Sequence, residues 1–206
     1  DGANILTNQQ VTGITRTDMG WQVTTKTQVH TARILINAAG AWVDQIAALA
    51  GVCPLGFVPN RRSMARLPAP GGHDISKWPM IAGINEAWYA KPDAGKLLVS
   101  PAEEHPTHPH DAWADDMVLA EGLARYEAMV TEPVTRVETS WAGLRTFAPD
   151  RALVIGFDPH TPNFFWHAGQ GGYGFQTAPA TSQLAADLIA GRAPQLDAST
   201  ISALSP

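Results

Sequence analysis

The stretch Trp166-His167-Ala168-Gly169-Gln170-Gly171-Gly172-Tyr173-Gly174-Phe175 constrains this chain more than any other. A short apolar run, Asn163 to Ala168, enters a glycine-dense turn. A helical pattern from Ala180 to Ala190 follows and ends near Gly191-Arg192. A strand that feeds a glycine turn and opens a helix presents bare backbone N–H groups at the positive end of a helix dipole. Such a surface favours negative charge, a phosphate or an anionic ring, so a cofactor-binding fold is expected. Gly169, Gly171 and Gly174 also satisfy G-x-G-x-x-G, the spacing of a dinucleotide-binding βαβ unit. The context argues against that unit. Beyond the helix come Pro194 and a small polar tail to Pro206, with neither a second parallel strand nor an acidic ribose ligand at its usual offset.

A second strand-turn-helix lies near the start. Arg33 to Asn37 reads as a buried strand, Ala38-Ala39-Gly40-Ala41-Trp42 as a turn of small residues, and Val43 to Ala50 as a helix closed by Gly51. Asn4 to Ile14 and Trp21 to Lys26 read as strands before it, so the chain opens mid-sheet and is expected to be a portion of something longer. Between the two cofactor-like elements the pattern changes. Arg61 to Leu67, Pro79 to Ile84, Ala87 to Ala90 and Lys96 to Ser100 read as short strands with turns at Pro70-Gly71-Gly72 and Pro92-Asp93-Ala94-Gly95. An antiparallel sheet is the natural assembly. The stretch Glu103 to Asp116 reads as a loop, Met117 to Met129 as a helix capped by Asp115 or Asp116, and Val134 to Phe147 as a long strand. Ala152 to Gly156 is a further short strand.

Composition sets the class. At 206 residues, 45% hydrophobic and 16% charged, the chain can bury a sizeable core. A net charge of -5 argues against nucleic acid, which needs a concentrated basic face. The one cysteine, Cys53, excludes an intramolecular disulfide. No apolar run is long enough to span a bilayer and no signal peptide is visible, so a cytoplasmic setting is expected.

Few side chains carry obvious chemistry. Arg61 and Arg62 begin one sheet strand and Arg145 ends another, in Trp141-Ala142-Gly143-Leu144-Arg145-Thr146-Phe147. A guanidinium fork suits a carboxylate, although an arginine flanked by apolar residues is as readily snorkelling or structurally paired. Strand alternation puts Arg61 and Arg62 on opposite faces, so at most one of them serves a site. Tyr89 has a hydroxyl for a substrate carboxylate, or is packing. His167 is placed to contact a ring or is a satisfied structural group. His105, His108 and His110 lack the companions of a metal site, and no metal is expected.

At these residues the chain resembles the FAD-dependent D-amino acid oxidase and dehydrogenase family, most of all its D-arginine dehydrogenase branch. Asn37-Ala38-Ala39-Gly40-Ala41-Trp42 is similar to the family's strand-turn-helix over the flavin nucleotide, and Trp141 to Phe147 with Gln170-Gly171-Gly172-Tyr173-Gly174 to its C-terminal segment. Arg61-Arg62-Ser63, Trp78-Pro79-Met80, Tyr89-Ala90-Lys91-Pro92-Asp93-Ala94-Gly95 and Leu204-Ser205-Pro206 extend the likeness across essentially the whole chain.

The resemblance implies a mixed α/β and α+β chain, the C-terminal part of a two-domain glutathione-reductase-like FAD fold with an antiparallel substrate-domain sheet inserted. Residues 1–53 and 141–206 would belong to the FAD-binding domain and 54–140 to the substrate domain. It implies that Arg62 and Arg145 hold a substrate carboxylate and that Tyr89 hydrogen-bonds the substrate. Met80 would line the pocket, and the Gly172 carbonyl would meet the substrate amine. Ala39, Gly40, Trp42, Gly169, Gly171, Gly172, Tyr173, Gly174, Phe175 and Gln176 would contact FAD. The implied reaction is oxidation of a D-amino acid by hydride transfer to FAD, then hydrolysis to a 2-oxo acid and ammonia. The family's first βαβ unit is absent from these residues. The expected partners are therefore an N-terminal segment or complementary chain, with a membrane involved only as the source of a quinone acceptor at the inner membrane. The competing expectation is a cofactor-free binding module.

Overall fold

The computed structural model describes residues 2–206. They divide into two units, one made of the chain up to Val58 together with Thr146–Pro206, the other of Pro59–Arg145.

The first unit opens with an antiparallel meander of β1 (Val11–Thr17), β2 (Gly20–Thr25) and β3 (Val29–Ala32). The sequence reading of a strand from Asn4 is too long, because pairing starts at Val11 opposite Thr25. The strand read from Arg33 is also shorter than expected. Its paired part, β4 (Leu35–Asn37), lies in a different sheet from β3, whose residues are mostly exposed and gave no hydrophobic signal. A 3-10 turn at Gly40–Trp42 then leads into α1 (Val43–Leu49). Buried Asn37 pins this turn: its Nδ2 donates to the Val43 carbonyl at 2.8 Å and its Oδ1 accepts from the Ala39 N–H at 3.4 Å. Asp44 of α1 accepts from the backbone N–H groups of Leu55, Gly56 and Phe57, tying the segment after α1 back to the helix.

The second unit holds β5 (Val58–Leu67), β6 (Ile81–Ala82), β7 (Tyr89–Asp93), β8 (Lys96–Ser100), β9 (His105–Pro106), α2 (Asp116–Glu127) and β10 (Thr139–Phe147). The sheet order is β10-β5-β8-β7-β6, with β9 also pairing β5. Of the strand expected over Pro79–Ile84 only Ile81–Ala82 pairs. The strand expected at Ala87 begins at Tyr89, and the strand expected from Val134 begins at Thr139. The histidine-rich loop contains β9, too short to leave a periodic signature. Asp115 caps α2, its Oδ1 accepting from Met117 and Val118, each at 3.1 Å. The buried face of α2 is Leu119, Gly122 and Tyr126, a helical stripe packed on Ala65, Leu67, Ala90, Leu97 and Val99 of the sheet and on Trp88 just before β7. Each large side chain buried there contributes about 1.5–3 kcal/mol.

The chain returns as β11 (Val154–Phe157), β12 (Phe164–Ala168), α3 (Gly174–Ala190) and α4 (Ala198–Ala203). β12 is central, antiparallel to β11 and parallel to β4. Both its faces are covered, as a parallel strand requires. Phe164, Trp166 and Ala168 join Trp21, Val43 and Ala47 in one core, while Phe165 joins Ile155 and Leu184 of α3 in another. Two helices differ from the sequence reading. α3 begins at Gly174, six residues before Ala180, with Pro179 inside it, and α4 occupies the supposed polar tail, capped by Asp197.

Candidate active site

In the second unit, β5 displays the two neighbouring arginines on opposite faces. Arg61 lies on the α2 side with Ala65 and Leu67, and its Nη2 sits 3.6 Å from Asp115, the residue that caps α2. Arg62 lies on the other face, which it shares with Tyr89, since Trp88 and Ala90 on either side of Tyr89 point into the α2 core. The Arg62 guanidinium stands over the Tyr89 ring at 5.9 Å, within cation–π range. From β10, Arg145 Nη2 donates to the Tyr89 hydroxyl at 3.5 Å. Two guanidiniums and one phenol are thus gathered on one face of one sheet from three strands. The Arg62 side chain is only 10% exposed, and its Nη2 donates to Glu104 Oε1 at 3.0 Å. Met80 stands just before β6, at the far edge of the sheet, and is exposed.

In the first unit, the glycine turn is shaped by close packing. Gly169 (φ +76°) and Gly171 (φ +50°) lie in the left-handed region. A side chain on Gly171 would meet the Phe147 ring at 2.3 Å, and one on Gly169 would meet the Ala152 carbonyl oxygen at 3.0 Å. The Gly171 N–H donates to the Thr146 carbonyl at 3.0 Å. These glycines bind the turn to the rest of the unit, and Gly174 opens α3. No side chain caps α3 at Tyr173 and its first turn carries no acidic residue, so its positive end is left for another group. Gly172, Tyr173, Phe175 and Gln176 are all exposed around it.

A cleft of about 280 Å³ lies between this helix start and the turn after β4, lined by Ala38, Gly40, His167, Gln170, Gly174, Ala178, Thr181 and Ser182. Ala39 and Trp42 line a separate groove, with Gln45 and Ile46 of α1. Half-buried His167 has its pKa pushed below the ordinary histidine range by desolvation, which keeps the imidazole neutral. Ala178, Thr181 and Ser182 escaped the sequence reading, and Gln170 entered it only as part of the glycine turn. Gly174, Ala178 and Ser182 recur at a helical spacing, a stripe legible only if the helix is started at Gly174. Among the described residues no group of three or more His, Cys, Asp or Glu is gathered as metal ligands, and no helix is long and apolar enough to cross a membrane.

Residues 1–188 match the model of the family described as FAD dependent oxidoreductase (DAO). The chain belongs to this family. Among curated relatives, this FAD-dependent oxidoreductase chain is 28% identical over 178 residues to FAD-dependent oxidoreductase domain-containing protein 1 of Xenopus laevis, a match covering 76% of the chain and 34% of that protein. Its fold is shared with iminodiacetate oxidase from Chelativorans sp. BNC1 (TM-score 0.80, 20% identity, 97% of this chain and 53% of that one). It is also shared with glycine oxidase from Geobacillus kaustophilus (TM-score 0.77, 22% identity, 96% and 51%). The chain therefore spans about a third of that curated relative and about half of these solved structures.

The cofactor of the family is FAD, and the residues present suit it. An uncapped helix start without acidic side chains offers positive potential to an anionic ring edge. The small residues Ala38, Gly40, Gly174 and Ala178 let a flat group approach the backbone, with Gln170, Thr181 and Ser182 as polar neighbours. Phe175, fully exposed, and Tyr173, 47% exposed, offer the apolar surface that such a group would cover.

Proposed function

We propose that this chain binds the carboxylate of an α-amino acid and takes part in its FAD-dependent oxidative deamination, with D-amino acids as the substrates. The observation that carries the reading is the grouping of Arg62, Tyr89 and Arg145 on one sheet face. Tyr89 accepts from Arg145, so its own hydroxyl hydrogen remains to be donated to a carboxylate oxygen. Two guanidinium forks add charge-assisted hydrogen bonds, the strong class, and hold the carboxylate at more than one point. A substrate held in this way has lost most of its rotational freedom, the ordering that a near-attack geometry requires. Met80 and the Gly172 carbonyl are further substrate contacts in this proposal. Ala39, Gly40, Trp42 and residues 169–176 serve the cofactor, with the uncapped N–H groups of α3 stabilising negative charge. FAD, when bound, supplies the two-electron acceptor for the hydride leaving the substrate α-carbon.

The names of the two solved relatives in fold, a glycine oxidase and an iminodiacetate oxidase, support amines that carry a neighbouring carboxylate. The D-configuration rests on the sequence likeness alone. The deciding experiment replaces Arg145 by Met in the encoded full-length protein and measures kcat/KM on paired D- and L-amino acids. Removing one member of a charged hydrogen-bonded pair should lower kcat/KM by about 100-fold or more. An unchanged value sinks the clamp, and turnover of L-amino acids alone sinks the D-reading. Comparing oxygen consumption with reduction of a quinone separates oxidase from dehydrogenase.

A further inference from the structure

β8 and β9 are one partner strand of β5 interrupted by a bulge. Ala65 pairs with Val99, and Arg61 pairs with His105. From Val99 to His105 the partner takes six steps while β5 takes four. The surplus is absorbed around Pro101 and Ala102, and Ala102 adopts φ +57°, a left-handed conformation for a residue with a side chain. Bulges of this kind re-aim the side chains that follow them. Had the register of β8 continued, Ala102 would face Arg62. With the slip, the register of β9 carried one and two residues further sets Glu104 opposite Arg62 and Glu103 opposite Ser63. The contacts agree: Arg62 Nη2 donates to Glu104 Oε1 at 3.0 Å, and the Ser63 N–H donates to Glu103 Oε1 at 2.6 Å.

The bulge is held from both sides. Buried Ser100 donates its Oγ to the Ser63 carbonyl at 2.7 Å and accepts from the Ala102 N–H at 3.1 Å. From α2, Arg125 donates to the Pro101 carbonyl at 3.2 Å. Gly122 of α2 is packed so closely on Pro101 that a side chain there would lie 2.3 Å from its Cβ. A strained residue kept in place by this many contacts points to a function for the geometry that it creates.

We propose that Glu104 is a positioning residue for Arg62, and that the bulge at Pro101–Ala102 aims it. The inference rests on the carboxylate-clamp reading above. The guanidinium of Arg62 carries five N–H donors, and Glu104 takes one through Nη2. The buried Nε makes no hydrogen bond. Glu104 thus holds one edge of a nine-tenths-buried guanidinium and steadies its charge, while leaving donors for an incoming carboxylate. It acts on substrate through Arg62.

The test is a double-mutant cycle in the encoded full-length protein loaded with FAD, using D-alanine and glycine as probes. Glu104→Ala should raise KM by about 10-fold, with kcat within about 2-fold, as expected when a hydrogen bond to a charged group that favours binding is lost. Glu104→Gln, which keeps an acceptor for Nη2, should restore KM to within about 3-fold of the parent. In an Arg62→Ala background, Glu104→Ala should change KM by less than about 2-fold. Should Glu104→Ala fail to fold by circular dichroism, Glu104→Asp, one methylene short of Nη2, makes the same comparison. An equal effect of the Glu104 substitution with and without Arg62 overturns the inference, as does a Gln variant no better than Ala. If Arg62→Ala itself leaves KM unchanged, the clamp reading fails first and the inference falls with it.

Discussion

At Gly171 one absent methyl group decides whether the glycine turn can form. Its φ of +50° alone would cost an L-residue about 1–2 kcal/mol. Its neighbour Phe147 leaves no room, since an added Cβ would sit 2.3 Å from the ring. Overpacking against a buried ring costs a further 1–3 kcal/mol, so Gly171→Ala should destabilise by about 3 kcal/mol in all. Chemical denaturation would show this as a lower midpoint with an unchanged slope, and a midpoint equal to the parent's would mean that Phe147 swings away freely. The same scale shows what sequence can and cannot tell. That Arg61 and Arg62 face opposite ways followed from strand alternation. Alternation alone could not say which of them meets the cap of α2 and which stands over Tyr89, because Asp115 and Tyr89 lie 54 and 27 positions away in the chain from Arg61 and Arg62, respectively; only the family resemblance singled out Arg62. Glu104 was invisible for a related reason: it faces Arg62 only because of a two-residue slip centred on an alanine, and nothing about Pro101-Ala102 advertises a bulge.

At the scale of elements, strands buried on both faces and helices with an apolar stripe were legible, while boundaries set by tertiary partners were not. β12 stood out because Phe164, Phe165 and Trp166 form a continuous apolar run, and α2 because Asp115 caps a helical spacing. β3 and β9 are exposed and short, so their pairing comes from neighbours and not from their own residues. α3 was started too late because Pro179 resembles a helix breaker. Pro179 removes the N–H that would bond the Phe175 carbonyl, and its ring crowds that turn. The hydroxyls of Thr177 and Ser182 bond the carbonyls of Tyr173 and Ala178 in the same stretch, not that of Phe175. Pro179→Ala should therefore stabilise the protein by about 1–2 kcal/mol, less than the full helix-interior penalty because alanine also loosens the unfolded chain. A thermal midpoint that rises by several degrees supports this account, and one that falls would show that the proline ring is needed where it sits.

Over the whole molecule, the groups with shifted pKa values predict a two-step loss of stability in acid. In the unit that holds the cleft at the start of α3, His167 has its pKa lowered from 6.5 by desolvation. Above pH 6.5 the imidazole is neutral whether the chain is folded or unfolded, so it exerts no pull. As pH falls below 6.5 the unfolded chain binds a proton that the folded chain resists, and stability declines until pH passes the folded pKa. The carboxylates act later. Burial works to raise the pKa of Asp158, but bonds from Trp166, His160 and Thr161 outweigh it and hold it below 3.8. Asp187 is held down by Gln183 and Arg192, and in the other unit Glu138 is held down by Lys96 and Arg136. Their stabilisation is present above the ordinary carboxylate range and is lost as pH falls through the lowered values. Thermal midpoints at about pH 7.5 and about pH 5.5 isolate the first step, because those carboxylates stay ionised at both. The parent should melt lower at the acid point, and His167→Gln, which cannot take up a proton, should show a smaller drop. An equal drop in both proteins would mean that His167 charges as easily in the fold as in the open chain, and the neutral imidazole in that cleft would have to be abandoned.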